Sequence, residues 1–138
     1  MKKVQPLQGT TFLVLVAIAA TTSSAFAKPA VSLHLSGAVV ARTNGSEHLT
    51  PLEHVARVKS GDIVSYRIVA SNSGSEPAKH FSSVARIPAG TTYLAGSASH
   101  AAQQHVELGR DGKTIRWVND RPLPAHTTLQ YSYRVRVK

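Results

Sequence analysis

The chain contains no cysteine. That excludes disulfides, thiolate metal sites, a cysteine nucleophile and a lipid-bearing cysteine anchor. Acidic residues are scarce, with 7 Asp and Glu against 16 Lys and Arg. Aromatic residues make up only 6% of the chain, so no series of stacking rings accompanies the arginines, and nucleic acid is not an expected partner. The uncharged run from Phe12 to Ala20 falls well short of the ~20 apolar residues of a membrane-spanning helix, and no other stretch is long or apolar enough. A sustained 3.6-residue apolar repeat is also missing. The windows Leu52 to Val58 and Ser97 to Val106 carry one helical turn at most.

What is present begins with an address. Lys2 and Lys3, the run from Phe12 to Ala20 and Ala25-Phe26-Ala27 form the positive end, apolar centre and small-x-small step of a secretory signal. Cleavage is expected after Ala27, leaving residues 28–138 as one domain in the periplasm or outside the cell, with no transmembrane segment in the mature chain. Without disulfides, burial and hydrogen bonding alone must hold that domain. The net charge of +9 drops only by the two signal lysines. A basic exported domain favours an anionic envelope polymer, a lipid headgroup or another envelope protein as partner.

Beyond the signal, apolar residues recur with period 2, the spacing of a strand with one buried face. Leu129, Tyr131, Tyr133, Val135 and Val137 alternate with Gln130, Ser132, Arg134, Arg136 and Lys138. Val31, Leu33 and Leu35 show the same pattern, as do Val64, Tyr66, Ile68 and Ala70. Turn chemistry separates these runs: Asn44-Gly45, Ser60-Gly61-Asp62, Asn72-Ser73-Gly74, Pro88-Ala89-Gly90 and Asp111-Gly112. Asp111-Gly112 is expected to join a strand near Gln104 to Leu108 with one near Thr114 to Val118. A further strand is expected near Lys79 to Arg86. The pattern predicts an all-β, antiparallel sandwich of about seven or eight strands with Greek-key connections.

Two blocks carry a family resemblance. Val58 to Gly74 holds a Gly61-Asp62 turn, a strand with Tyr66 and the Asn72-Ser73-Gly74 turn. Ile87 to Ala98 holds Ile87-Pro88-Ala89-Gly90-Thr91 and the step Gly96-Ser97-Ala98. Together they resemble the domain-of-unknown-function eleven repeats of bacterial and archaeal surface proteins, over about Val58 to Ala98, with weaker similarity through Trp117 to Val137. The resemblance implies an immunoglobulin-like sandwich in an envelope-exposed, noncatalytic protein, and it implies no site residues. Family members commonly place an acid shortly before the Ile-Pro step, where this chain has Val84-Ala85-Arg86.

Little in the sequence points to catalysis. No Gly-x-Ser-x-Gly elbow occurs, and Asp62, Asp111 and Asp120 sit beside turn residues, where a carboxylate serves the local backbone. The seven histidines, His34, His48, His54, His80, His100, His105 and His126, show no ligand-pair spacing, so no metal or other cofactor is expected. Arg134, Arg136 and Lys138 share the wet face of the last strand, and Arg116 joins them if the tryptophan strand pairs with it. These four are the candidate ligand-binding residues, because guanidinium forks suit phosphate and carboxylate. Tyr66, Tyr131, Tyr133 and Trp117 read as core, while Tyr93 stays open as a carbohydrate contact. The leading expectation is a noncatalytic structural or adhesive envelope module. An anionic-ligand binder stands second and a small hydrolase third.

Overall fold

A computed structural model describes Ala17–Ala19 and residues 28–138. The signal cleavage step at Ala25 to Ala27 and most of the signal segment lie outside the described residues. The strands are β1 (Ala17–Ala19), β2 (Val31–Thr43), β3 (Ser46–Pro51), β4 (Ile63–Asn72) and β5 (Ser82–Arg86), then β6 (Thr91–Tyr93), β7 (Gln104–Leu108), β8 (Thr114–Asn119) and β9 (Thr127–Val137). Eight of them fall in residues 28–138. They form two antiparallel sheets, β1-β5-β8-β7 and β3-β2-β4-β9-β6, packed as an all-β sandwich. Among the described residues one 3-10 turn forms, Leu52–His54, and it falls in the first window where a helical turn was expected.

Period-2 alternation places the core. Val64, Tyr66, Ile68 and Ala70 of β4 and Tyr131, Tyr133 and Val135 of β9 are buried, and they meet Ala85, Ile115 and Trp117 from the other sheet. The ring of Trp117 lies 5.0 Å from Tyr131 and 5.8 Å from Tyr133 between centroids, so one indole bridges both sheets. Its Nε1 donates to the Ser99 carbonyl at 2.9 Å, which satisfies the only polar atom of a fully buried side chain. Tyr131 gains a hydroxyl partner in buried Ser83. Burial pushes the Tyr131 hydroxyl up to about 12.

The turns read from sequence fall where their chemistry predicts. Asn44 and Gly45 both take positive φ, 52° and 82°, and close the β2–β3 hairpin. Asp111 Oδ1 accepts the Lys113 N–H at 2.9 Å and Gly112 has φ of 68°, which closes β7–β8 over the expected ranges. Asn72 does more than end a strand. Its Oδ1 accepts the N–H groups of Ala30 and Gly74, and its Nδ2 donates to the carbonyls of Glu76, Leu123 and Pro124. Ser97 Oγ accepts the Arg134 N–H at 3.0 Å, and Ser99 Oγ accepts the Ser132 N–H at 3.0 Å. The Gly96-Ser97-Ala98 step thereby covers the edge of β9 beyond the short β6.

Three expectations change. The tryptophan strand β8 does not pair with the last strand, because β8 and β9 belong to different sheets. The strand expected from Lys79 begins at Ser82, since His80 adopts φ of 56°, outside the extended region. β3 and β6 were not legible as strands. Every residue of β3 is exposed, so it carries no apolar alternation to read, and β6 has three residues.

Candidate functional site

Alternation along β9 turns Arg134 and Arg136 outward while Tyr133 and Val135 fill the core. Arg134 is not free for a ligand. Its guanidinium grips Glu47 with both forks, Nη2 to Oε1 at 2.7 Å and Nη1 to Oε2 at 3.0 Å, and Arg42 reaches the same carboxylate at 3.3 Å. The pair ties the β2–β3 hairpin to a strand 87 positions away. The Arg134 guanidinium holds the Glu47 carboxyl down at about 2, with Arg42 adding to the effect and partial desolvation opposing it.

A carboxyl depressed in the fold contributes stability above its unfolded midpoint and loses it as pH falls through the folded one. Glu47→Gln should therefore unfold more readily than the parent above pH 4.5, with the difference vanishing as pH falls toward about 2. Urea titrations across that range check this. A constant difference would show that the carboxylate charge contributes nothing.

The other candidate residues do not assemble around Arg134. Arg116 stands on the outer face of the smaller sheet, with Nη1 3.9 Å from Glu107 and Nη2 3.4 Å from Ser82 Oγ. β8 and β9 face each other across the core, so the outward arginines of the two strands point away from one another. Arg136 and Lys138 remain exposed. Lys138 instead lines a cleft of about 640 Å³ with Arg86, Lys113, Tyr93 and the Ile87 to Thr92 turn. Three cations meet one acid there, Asp111, whose Oδ1 already serves the Lys113 N–H. Tyr93 is committed in part, since its hydroxyl accepts the Ala98 N–H at 3.3 Å.

A second cluster escaped the sequence. His105 Nδ1 lies 2.6 Å from Asp120 Oδ1 and Nε2 lies 3.2 Å from Glu107 Oε1. Asp120 therefore does not serve a local turn as its neighbours suggested, whereas Asp62 does, accepting the Lys59 N–H at 2.8 Å. The Glu107 hydrogen bond, then that of Asp120, raises the His105 pKa against slight desolvation. Both ring nitrogens donate when the imidazole is charged, so neither is left to take a proton from a nucleophile. All seven histidines are exposed, and His100 turns to the Ala101 carbonyl without joining His105. Among the described residues, no group of three or more candidate metal ligands forms.

The signal for this cluster was available. His105 and Glu107 stand two apart on one strand face, and extending the Asp111-Gly112 hairpin brings Asp120 beside His105, since Gln104 pairs with Asn119. A proton titration followed by NMR should place His105 above its ordinary 6.5, and Glu107→Gln should bring it back down. Its contribution to stability is full below the unfolded midpoint and lost as pH rises through the folded one. A midpoint unmoved by Glu107→Gln would remove Glu107 as the cause.

Comparison with known proteins finds no matching family model, no matching curated protein and no matching solved structure. No helix among the described residues is long and apolar enough to cross a membrane.

Proposed function

We propose that residues 28–138 form an exported, noncatalytic module of the cell envelope with a structural or adhesive role, built as an immunoglobulin-like sandwich akin to the surface-protein repeats it resembles. The observation that supports this most is where the two family-like blocks fall. Gly61 and Asp62 form a turn, Asn72 ties three segments together, Ile87 to Thr91 forms a turn and Ser97 covers the β9 edge. Each block serves the scaffold, as expected of a module whose product is its shape. The secretory-type N-terminus supports export.

The three-cation cleft favours a second reading, a binder of an anionic envelope polymer, lipid or protein. Retention of the exported protein on isolated envelope fractions separates the two. A structural or adhesive contact through packed surface should persist in high salt. Attraction through exposed cations is screened beyond about 8 to 10 Å at physiological ionic strength. Salt-sensitive retention lost in an Arg86→Ala, Lys113→Ala, Lys138→Ala variant would replace the first reading with the second. The same loss in an Arg136→Ala variant would instead locate binding on the outer face of β9.

A further inference from the structure

β5 is an edge in waiting. Within residues 28–138 the smaller sheet runs β5-β8-β7, and the far side of β5 is taken by β1, with Ala17 opposite Val84, Ile18 opposite Ser83 and Ala19 opposite Ser82. The Phe81 carbonyl accepts from the Asn119 N–H, and the Ile87 N–H donates to the Lys113 carbonyl. Backbone groups alternate sides along an antiparallel strand, so Ser83 and Ala85 serve β8, while Ser82, Val84 and Arg86 turn their N–H and C=O groups to the β1 side. Removal of residues 1–27 leaves that row unpaired.

The other edges are guarded in the ways sheets ordinarily are. β3 carries Glu47 and His48 and ends at Pro51, β6 is three residues long, and β7 bears the ion-paired His105 and Glu107. β5 has no proline and no charge before its last residue, Arg86. Three strands then face five, and the apolar row Val31, Leu33, Leu35 and Val39 of β2 stays only partly buried. An uncapped, uncharged strand edge is the condition for strand addition, in which main-chain bonds give affinity and alternate side chains give selectivity.

We propose that in the processed chain β5 is a strand acceptor, taking an extended, uncharged, antiparallel segment of small and branched apolar residues from a partner polypeptide, in the place β1 holds. This rests on the export reading, because cleavage is what vacates the edge.

The test begins with the full chain expressed and exported, and its intact mass. A mass that retains residues 1–27 would overturn the export reading and the vacated edge with it. For the processed protein, amide hydrogen exchange at Ser82, Val84 and Arg86 is measured with and without a synthetic peptide of the sequence Val14 to Thr22. The expected result is exchange slowed by roughly tenfold or more at saturating peptide. The same peptide N-methylated at Ala17 and Ala19 should give no slowing, because it lacks the pairing donors. Unchanged exchange in processed protein would overturn the acceptor while leaving export intact. Protection without peptide, in a species of twice the monomer mass, would overturn the partner in favour of a second copy.

Discussion

Trp117→Ala should cost the domain about 4 kcal/mol, the middle of what a large buried aromatic loses on truncation. Trp117 is wholly buried between the sheets, and two losses coincide there. The first is a void between Tyr131 and Tyr133, whose rings lie 5.0 and 5.8 Å away. The second is the bond from Nε1 to the Ser99 carbonyl, which also steadies the segment that covers the β9 edge. Trp117→Phe keeps most of the apolar contact and removes the donor, so it should cost about half as much. Urea unfolding followed by far-UV circular dichroism measures both variants, since the chain has no other tryptophan to report by fluorescence. Equal losses would show that the hydrogen bond, and not the volume, carries the stability.

Asn72→Ala should destabilise by about 3 kcal/mol, because it strips donors and acceptors that buried backbone groups depend on. Asn72 is 1% exposed. Its amide donates to carbonyls from two separate stretches, Glu76 on one side and Leu123 and Pro124 on the other, the last two of which also accept from the Ala78 N–H and the Thr127 hydroxyl. Asn72→Asp keeps the size but turns a donor into an acceptor facing those carbonyls. Near neutral pH it should be worse than alanine. The buried carboxyl titrates above its unfolded value, so the fold binds more protons than the unfolded chain and the deficit shrinks as pH falls. Thermal melts of the three proteins between pH 4 and 8 read this directly. An Asp variant as stable as the parent at pH 7 would mean that the amide donors are dispensable.

Neither residue announced its full role. Asn72 stood in an Asn-Ser-Gly turn, and local turn chemistry accounts for its bond to Gly74 but not for those to Leu123 and Pro124. Trp117 read as core from its place in the strand expected over Thr114 to Val118, while its bond to Ser99 depends on a segment joined to it only by the fold. The candidate site was less legible still. Arg134 and Arg136 share the outward side of β9, since period 2 fixes that within a single strand, whereas Lys138 lies past the end of that strand and lines the cleft. Glu47, which occupies Arg134, lies in β3, a wholly exposed strand with no apolar alternation.

Sequence alone therefore determined what depends on near neighbours. It set which side of each strand is buried, where Asn44-Gly45 and Asp111-Gly112 reverse the chain, and that Tyr66, Tyr131, Tyr133 and Trp117 make the core. These follow from strand geometry and from the φ values that Asn, Asp and Gly tolerate. Only the tertiary structure decided which strands share a sheet. That choice sent Arg116 to one outer face and Arg134 to the other, brought Glu47 onto Arg134 and set β5 between β1 and β8. The physical reason is that alternation sets a side chain's direction relative to its own strand, whereas the partner it meets across long sequence separations is set by how two sheets close over a common core.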